Sequence, residues 1–442
     1  MTEFQVVIIA TDKGIGNSKL APIDDNLPHC LLPVANRPLI SYQLELLEKA
    51  GFQTKNTPVL MLVSERSQGK IKQYVSEIYK GNIEVEFVVI KDDIGSCEML
   101  YRIKDKIKSN YFIVMNGNLI VDDSFIRQMT DQHRANDSSF TVLLKPSTKP
   151  EVPTKTGGSS KQAAVVEAPS KQDNLFTDYI ALDEKKEKII LMEPATEAED
   201  NIVFSKTLLK NFPNLTIYNS LQDTQFYIFS RWVLEILVED QKKHIPTFFD
   251  LKKQFIPYLI SCQIPDNNKN LPASAINDTQ ELALTMSSTS SPFNAFSQLN
   301  IQKKKIVKCL AYLFTSGYCI NVNTIKSYQM ANREIAKGYT PYLPFEPRSE
   351  KNFFIDQTAE VTPTQVGPNC VIGTSTKLGA KCSVKFSIIG KHCKIGDGVR
   401  IENSIIMDHV SIEDKCVING SIICNDAFVK SGSQTIGTYL TK

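Results

Sequence analysis

A seventeen-residue repeat near the C terminus constrains the fold of this chain more than any other feature. The tripeptide Ser-Ile-Ile begins at Ser387, Ser404 and Ser421. Three aliphatic positions per coil, five or six residues apart, predict a three-sided β-solenoid of roughly five coils after Phe354. The isoleucines of the Ser-Ile-Ile tripeptide form one column of aliphatic residues. Two further columns recur in the same frame: Leu378, Ile395, Ile412 and Val429 in one, and Val384, Ile401 and Ile418 in the other.

The cysteines fit the same repeat. Half of the ten lie between Cys370 and Cys424. Since side chains alternate along a strand, a cysteine two residues before a column residue also points inward. No coil offers a closed set of cysteine and histidine ligands for a metal. We therefore interpret four of them as small, reduced core residues: Cys370, Cys382, Cys393 and Cys416.

Residues 5 to 145 alternate short β-rich runs with helical patterns, which is typical of an α/β domain with a mostly parallel sheet. In such a sheet, ligand loops lie at the carboxyl ends of the strands. The predicted strands are 6–9, 59–63, 85–90, 111–115 and 140–144, and the predicted helices are 39–50, 68–79, 98–107 and 125–134.

A chain of 442 residues is expected to form about two or three domains. We predict a first domain at 1–262, with a flexible insertion at about 146–174 that is rich in Pro, Ser, Thr, Lys and Gly. Such a composition buries too little apolar surface to offset ordering entropy. A polar linker at 263–300, a helical connector at 301–345 and the solenoid at 346–442 follow.

Charge and hydropathy exclude some classes of partner. Lys and Arg number 50 against 48 Asp and Glu, so no large positive field exists to attract nucleic acid or an anionic membrane. No stretch approaches the ~20 apolar residues of a membrane span, and the N terminus does not resemble a signal peptide. We expect a cytosolic protein that binds neither nucleic acid directly nor a membrane.

A glycine-rich turn follows the first predicted strand, with Gly14 and Gly16 on either side of Ile15. Glycine lets the backbone approach closely, so amides of such a turn can contact phosphate oxygens. The chain continues with Lys-Leu-Ala-Pro at 19–22 and Pro-His-Cys-Leu-Leu-Pro-Val at 28–34. Here it resembles the sugar-nucleotide pyrophosphorylases, whose pattern is G-x-G-T-R-L-x-P-L-T-x-x-x-P-K-P-L-x-P-V. The resemblance implies a Rossmann-like nucleotidyltransferase domain followed by a left-handed β-helix of hexapeptide repeats.

The chain departs from that pattern at the positions that handle charge. The family's phosphate-neutralising arginine aligns with Lys19, and its second basic residue aligns with His29. Lysine is a point charge rather than a planar fork, and an unperturbed histidine is mostly neutral at pH 7. The family's metal carboxylate aligns with Asn118, which offers Mg²⁺ no charge. The resemblance therefore implies a degenerate site with no catalytic residue, metal or cofactor.

Nearby residues leave two outcomes open for that site. The turn Gly95-Ser96-Cys97 resembles the family's base-binding Gly-Thr-Ala turn, so binding of a nucleotide or sugar nucleotide without reaction stays open. We interpret the acidic pairs at 92–93 and 122–123 as loop or helix-capping carboxylates rather than substitute metal ligands. The degenerate nucleotide-site positions are Gly14, Gly16, Lys19, His29, Gly95 and Asn118.

The connector contains a second motif, N-T-x-x-x-Y-x-x-x-N-R, which resembles the gamma and epsilon subunits of eukaryotic translation initiation factor 2B. Tyr328 and Asn332 are four residues apart, so a helix presents both on one face, suited to packing against a neighbour. An ordinary amphipathic connector is the alternative. The candidate interface residues are Asn323, Tyr328, Asn332 and Arg333.

Over nearly the whole length, the order of domains and the position of the insertion are similar to the gamma-subunit family. The resemblance implies a non-catalytic subunit of the complex that promotes GDP/GTP exchange on translation initiation factor 2. It also implies a direct pair with an epsilon subunit and assembly with alpha, beta and delta subunits.

Two other functions remain as alternatives: an active pyrophosphorylase, similar to mannose-1-phosphate guanylyltransferase, and a regulatory subunit of such an enzyme. His392 and His409 lie in the solenoid, where related acyltransferases have a catalytic histidine. Nothing else in the sequence indicates an acyl-carrier site, so we do not favour that activity.

Overall fold

The computed structural model describes residues 3–11, 15, 19–25, 27–52, 57–79, 81–91, 94–147, 178–194, 206–237, 248–264, 307–338 and 353–441. The predicted insertion at 146–174 and the predicted linker at 263–300 lie almost entirely outside these residues. The chain divides into two compact units. The first consists of Met1–Val7, Asp93–Met115 and Ser124–Ser316, and the second of Ile8–Asp92, Asn116–Asp123 and Gly317–Lys442.

The strands ahead of the solenoid are short and largely buried. β1 reads Phe-Gln-Val-Val-Ile-Ile, and every residue of it is buried, as continuous apolar runs in two-sided sheets usually are. The described strands are β1 (Phe4–Ile9), β2 (Pro33–Val34), β3 (Arg37–Pro38), β4 (Val59–Ser64), β5 (Val85–Ile90), β6 (Tyr111–Asn116), β7 (Leu119–Val121), β8 (Phe140–Pro146), β9 (Asp178–Asp183), β10 (Ile189–Pro194), β11 (Leu215–Tyr218), β12 (Leu221–Ser230), β13 (Cys309–Leu313) and β14 (Cys319–Asn321).

The main sheet has the strand order β13-β8-β12-β6-β1-β4-β5. β4 runs parallel to β5, and β13 parallel to β8, while β12 is antiparallel to both β6 and β8. A three-stranded sheet, β10-β9-β11, and the pairs β14-β7 and β2-β3 complete this part. The predicted α/β class with a mostly parallel sheet is confirmed, and each predicted strand is present.

The predicted helices are present, with two differences at their ends. The stretch 68–79 is α-helical to Gln73 and continues as a π-helix over Tyr74–Ile78. The predicted helix 98–107 begins at Ser96 and ends at Arg102, because the next amides bond back by three residues in tight turns. The α-helices that lie wholly within the described residues are α1 (Leu39–Lys49), α2 (Gln68–Gln73), α3 (Ser96–Arg102), α4 (Ile126–Ala135), α5 (Lys206–Asn211), α6 (Ile256–Ser261) and α7 (Ile325–Ala336).

The stretch predicted as a helical connector also contains two strands. β13 adds to the edge of the main sheet beside β8, and β14 pairs with β7. α7 follows directly and starts with a capping box, in which the side chains of Thr324 and Ser327 bond to each other's backbone amides. The pairing partners of these strands lie more than 160 residues earlier in the chain, so no local pattern indicates them.

The solenoid has three parallel sheets, one for each column of the repeat, as predicted. Neighbouring strands pair in a register of 17, for example Ile388 with Ile405. The sheets are β15-β16-β19-β22-β25-β28 on the first face, β17-β20-β23-β26 on the second and β18-β21-β24-β27 on the third. Their strands are β15 (Phe354–Ile355), β16 (Val371–Ile372), β17 (Lys377–Leu378), β18 (Ser383–Lys385), β19 (Ile388–Ile389), β20 (Lys394–Ile395), β21 (Arg400–Glu402), β22 (Ile405–Ile406), β23 (Ser411–Ile412), β24 (Val417–Asn419), β25 (Ile422–Ile423), β26 (Phe428–Val429), β27 (Gln434–Ile436) and β28 (Tyr439–Leu440).

Aliphatic columns and polar ladders stabilise the solenoid interior together. The predicted columns form one buried cluster, which also contains the four cysteines that were expected to point inward. The hydroxyl of Ser387 accepts a hydrogen bond from the amide of Ser404 (3.1 Å), and the hydroxyl of Ser404 accepts one from Ser421 (3.2 Å). All ten cysteines of the chain are buried.

Left-handed residues turn the solenoid corners. Phe386 (φ 50°), Asn403 (φ 51°), Gly420 (φ 62°) and Gly437 (φ 62°) occupy the corner between the third and first faces at the same 17-residue spacing. Asparagine and glycine tolerate this backbone region at low cost, whereas a bulky residue such as phenylalanine rarely adopts it. The left-handed corner therefore recurs with the same period as the core columns, and Phe386 is the one bulky side chain among these four positions.

Within the second unit, the outer side of the first solenoid face is covered. Ile405 and Ile422 belong to a buried cluster with Tyr328, Ile335 and Val34. The cover therefore consists of α7 and of the segment that contains the predicted nucleotide loop.

Candidate functional site

Asn118, at the position of the expected metal carboxylate, lies in the turn between β6 and β7. The antiparallel pairing of β7 with β14 brings this turn to residues 322–323. The side-chain amide of Asn118 donates to the backbone oxygen of Val322 (3.4 Å) and to the side-chain oxygen of Asn323. In return, the amide of Val322 donates to the backbone oxygen of Asn118 (3.0 Å). Asn118 therefore joins the turn to the start of the connector.

The Asn118 side chain is only 4% exposed. Its Oδ1 atom is buried and has no hydrogen-bond partner among the residues that the structure describes. An amide is neutral, so this buried position avoids the desolvation cost that a carboxylate would have. Because the side-chain amide carries no charge, it attracts a divalent cation less strongly than a carboxylate would.

Gly117, next to Asn118, is closely packed against β1. A Cβ atom at this position would lie 3.1 Å from both the Cα of Ala10 and the carbonyl oxygen of Ile9. The amide of Gly117 donates to that same Ile9 oxygen at 2.8 Å. The end of β6 is thus packed directly against the end of β1.

The two acidic residues that follow β7, Asp122 and Asp123, have structural roles. Asp122 accepts a hydrogen bond from the backbone amide of Tyr318 (2.6 Å), whereas we expected it to cap the following helix. Burial raises the pKa of Asp122 above its usual range. Asp123 is exposed and begins a short 3-10 helix. The pair at 92–93 lies outside the described residues.

The two basic positions of the loop differ in their surroundings. Lys19 has an exposed side chain, while its backbone amide donates to the carbonyl of Asn323 (2.8 Å). His29 is half-buried, and its Nε2 atom contacts the carboxylate of Asp24. Burial of Asp24 opposes ionisation, but the His29 contact outweighs it and lowers the pKa of Asp24. His29 is therefore engaged inside the loop itself.

The predicted base-binding turn belongs to the first unit. Gly95 precedes α3, and a Cβ atom there would lie 2.1 Å from the carbonyl oxygen of Phe249. That oxygen accepts a hydrogen bond from the amide of Cys97 (3.3 Å), and the hydroxyl of Ser96 accepts one from the amide of Leu251 (2.7 Å). The turn is tied to the segment 249–251, so two of its polar groups are engaged within the chain.

The six predicted positions therefore do not form one site within a single unit. Lys19, His29 and Asn118 belong to the second unit and Gly95 to the first, while Gly14 and Gly16 lie outside the described residues. Within the described ranges, no group of three or more His, Cys, Asp or Glu side chains could hold a metal ion. None of the helices that the structure describes is long and apolar enough to span a bilayer.

Helix α7 is hydrogen-bonded to the β2-β3 hairpin, which belongs to the predicted nucleotide loop. The hydroxyl of Tyr328 donates to the carbonyl of Pro33 (2.7 Å), and the side-chain oxygen of Asn332 accepts from the amide of Ala35 (2.9 Å). Asn332 also donates to the Tyr328 carbonyl (2.9 Å). The side-chain amide of Asn36 donates to the carbonyl of Ile389 in the solenoid (2.7 Å). The hairpin β2-β3 is thus fixed on two sides.

Two of the four candidate interface residues pack within the chain itself. Tyr328 and Asn332 are fully buried within the chain, so the neighbour against which they pack is the hairpin. Asn323 is partly buried and contacts Asn118. Arg333 is exposed on the outer side of α7, and an interface role for these residues stays a prediction.

Sequence reasoning missed a buried charged cluster in the first unit. The Nζ atom of Lys252 lies 2.9 Å from Asp178 and 3.4 Å from Asp223. The hydroxyl of Tyr227 donates to Asp223 (2.5 Å). Burial raises the pKa of Asp178. Burial by itself would lower the pKa of Lys252, but the two carboxylates outweigh it and raise that pKa. Three separate segments supply these groups, so no local spacing indicates the cluster.

Comparison with known proteins agrees with both parts of this architecture. A nucleotidyl transferase family model matches residues 6–263, and a model of the eIF2B subunit epsilon LbH domain matches residues 350–438. Translation initiation factor eIF2B subunit gamma from Dictyostelium discoideum is 68% identical over all of this chain and 99% of that protein. The chain belongs to the eIF2B gamma-subunit family.

A more distant member of the eIF2B gamma-subunit family is also similar to this chain over most of its length. The Schizosaccharomyces pombe subunit is 28% identical over 76% of this chain and 66% of its own length. Mannose-1-phosphate guanyltransferase from Hypocrea jecorina is 31% identical, but over only 32% of this chain and 37% of that enzyme. The similarity to the enzymes is therefore partial, whereas that to the gamma subunits covers most or all of the chain.

Proposed function

We propose that this chain is a non-catalytic subunit of the eIF2B complex, the guanine nucleotide exchange factor that promotes GDP/GTP exchange on translation initiation factor 2. Full-length similarity to the eIF2B subunit gamma of Dictyostelium discoideum supports the assembly. One observation carries the proposal that the chain is non-catalytic, namely that residue 118 is an asparagine. A neutral amide there, bonded to Asn323, replaces the carboxylate that would hold Mg²⁺ and stabilise charge on a transferred phosphoryl group.

The proposed partners follow from the family. An epsilon subunit is the direct partner, the alpha, beta and delta subunits complete the assembly, and translation initiation factor 2 is the substrate of the complex. The proposed location is the cytosol. The role of the chain is to bind and position other subunits, so no residue of it is assigned to chemistry.

The decisive experiment is purification of the tagged chain from its own cells, with the co-purifying proteins identified and quantified by mass spectrometry. We expect epsilon, alpha, beta and delta subunits in stoichiometric amounts, with translation initiation factor 2 at lower occupancy. Recovery of a sugar-nucleotide pyrophosphorylase in their place would contradict the proposal and favour a regulatory subunit of that enzyme.

A second experiment tests the loss of catalysis directly. The purified chain is incubated with GTP, mannose 1-phosphate and Mg²⁺, and released pyrophosphate is measured beside an active mannose-1-phosphate guanyltransferase. We expect no turnover above the rate without protein. Turnover that depends on the sugar phosphate would show that the chain is an enzyme, whatever assembly it joins.

A further inference from the structure

Two histidines of the solenoid, which the proposed function does not use, lie side by side at one corner. His392 and His409 occupy the same position in successive coils, between the strands of the first and second faces. Their imidazole rings stack almost in parallel, with centroids 5.1 Å apart and planes 10° from each other. Both side chains are exposed. Two imidazoles are therefore brought together on the surface of the second unit.

The backbone fixes the spacing of this pair. Both residues are left-handed, with φ of 55° at His392 and 59° at His409, a region that histidine adopts more readily than most residues other than glycine. The amide of His392 donates to the carbonyl of Thr374 (2.9 Å), and the amide of His409 donates to that of Lys391 (2.9 Å). Neighbouring coils are spaced as paired strands are, about 4.8 Å apart. The coil stack therefore sets the distance between the two imidazoles.

The residues that precede the histidines hold the corner in register. The carboxylate of Asp408 accepts a hydrogen bond from the amide of Lys391 (2.7 Å), and the side-chain oxygen of Asn425 accepts one from the amide of Asp408 (3.0 Å). The opposite charges of Lys391 and Asp408 also offset each other beside the pair. Neither imidazole forms a hydrogen bond with another of the described residues. The ring nitrogens are thus available to a ligand from solution.

Two neighbouring imidazoles are suited to a particular class of ion. Neutral imidazole favours Zn²⁺, Ni²⁺ and Cu²⁺, whereas Mg²⁺ and Ca²⁺ prefer oxygen ligands. A metal ion lies about 2.0–2.1 Å from a histidine nitrogen, so one ion can join two such nitrogens that are about 4 Å or less apart. The two rings must tilt from their stacked arrangement to reach this distance. Exposed side chains make such rotations readily.

The same corner of the flanking coils explains why the site contains two protein ligands and not three. Ser375 precedes the pair and Asp426 follows it, both exposed and left-handed, with φ of 53° and 59°. These positions form a row, so Asp426 is two coils from His392, about 9.6 Å away, and the two cannot bind one ion together. This spacing agrees with the absence of a three-residue metal group from the described ranges.

We propose that His392 and His409 form a two-histidine site for a divalent transition metal ion of the zinc, nickel and copper class. One nitrogen of each ring binds the ion, and water completes the coordination, as in metal sites with open positions. The bound ion joins two successive coils and therefore stabilises the folded solenoid. The site is separate from the degenerate nucleotide site around Asn118, and it does not depend on the proposed function.

Calorimetric titration of the full chain, purified without a histidine tag, with Ni²⁺ tests the site. The ten cysteines compete little, because all of them are buried. We expect one ion to bind to each wild-type chain. His392→Asn and His409→Asn should each weaken binding by about tenfold or more, since even the loss of outer contacts costs that much. The double variant should bind no more weakly than either single variant, because one imidazole alone cannot chelate. Ser375→Ala, in the preceding coil, is the matched control and should bind as the wild type does.

Asparagine is chosen because it tolerates the left-handed corner, as Asn403 does. Without metal, the variants should melt within about 2 °C of the wild type, so that a loss of binding does not reflect unfolding. Electron paramagnetic resonance with one equivalent of Cu²⁺ then counts the ligands. We expect coupling to two imidazole nitrogens in the wild type and to one in each single variant.

Two results would overturn the proposal. One is a wild-type chain that binds two ions, of which each single variant loses one while the affinity for the other is unchanged, because the histidines would then bind separately. The other is wild-type affinity in the double variant, because the ion would then be held elsewhere in the chain. Neither result depends on the recovery of eIF2B subunits, so this test and the test of the proposed function can fail independently.

Discussion

The hydroxyl of Tyr328 donates to the carbonyl of Pro33 across 295 residues of sequence. This bond, with the one from Ala35 to Asn332, makes α7 a support for the hairpin of the predicted nucleotide loop. The side chains that resemble a subunit-interface motif therefore act first inside the chain. Their loss should change stability even in the absence of any partner.

Removal of the Tyr328 hydroxyl is the mildest test of this support. Tyr328→Phe deletes one buried hydrogen bond and should cost about 1 kcal/mol of unfolding free energy, seen as a melting temperature about 2–4 °C lower. Tyr218→Phe, at a half-exposed tyrosine of β11, is the control and should melt as the wild type does. Equal melting of both variants would mean that the bond contributes nothing.

Asn332→Ala should be more destabilising than Tyr328→Phe. It leaves the buried amide of Ala35 without its acceptor, and an unsatisfied buried donor costs about 1–3 kcal/mol in addition to the lost packing. Urea unfolding of the purified chain measures the change. Asn419→Ala, at an exposed position of β24, is the matched substitution, and we expect it to stay within about 0.5 kcal/mol of the wild type.

Ile406→Asp tests the solenoid columns. Ile406 is buried between Ile389 and Ile423 in register, so an aspartate there buries an unpaired charge and should cost several kcal/mol. Neighbouring coils should become sensitive to protease, because each coil is stabilised by the next. Lys394→Asp on the exposed side of the same coil stack should leave digestion unchanged. Digestion of Ile406→Asp at the wild-type rate would contradict the column assignment.

Glu45 provides a prediction about pH. Burial opposes its ionisation, but hydrogen bonds from Arg37 (2.7 Å) and Lys49 (3.0 Å) outweigh burial and lower the pKa of Glu45. A lowered pKa contributes stability above the unfolded-state value, near 4.3, and that contribution is lost as the pH falls through the folded-state value. Glu45→Gln should therefore cost about 0.5–1 kcal/mol at pH 7 and progressively less below about pH 4. Urea midpoints across this range check the trend, with Glu402→Gln as an exposed control.

Lys252→Met addresses the buried cluster of the first unit. Removal of the only cation described in contact with Asp178 and Asp223 should cost about 3–5 kcal/mol, because two buried carboxylates then lack compensation. Lys253→Met changes the exposed neighbouring lysine and should be nearly neutral. Addition of Asp178→Asn to Lys252→Met should restore part of the loss. A double variant no more stable than Lys252→Met would indicate that charge is not the cause.

The repeat was the part of the fold most open to prediction from sequence. Its register follows from the recurrence of Ser387, Ser404 and Ser421, because a coil that stacks on the previous one must repeat its inward residues at the same spacing. The longer strands and the helices of the first 145 residues were likewise indicated by local hydropathy patterns, and their ends shifted, as at Arg102, where turns replaced the last predicted turns of helix. The short strands β2, β3 and β7 were not predicted, because two or three residues are too few to form a hydropathy pattern.

The contacts of the candidate site were not open to the same reasoning. Asn118 could be singled out because a charged residue was expected there, but its partner Asn323 is 205 residues away. Lys252 joins Asp178 and Asp223 in the same non-local manner. Pairing of β7 with β14 creates the first of these contacts, and no pattern in either segment alone specifies that pairing.

The left-handed corners of the solenoid limit how this domain can vary in length. Insertion of a single residue in the strand before Asn403 would move Glu402 into that left-handed corner and displace every inward column beyond it. Removal or duplication of 17 consecutive residues keeps both corners and columns in place. Length differences among natural relatives should therefore be whole coils within the stack, with smaller insertions confined to loops that leave a corner and return to it.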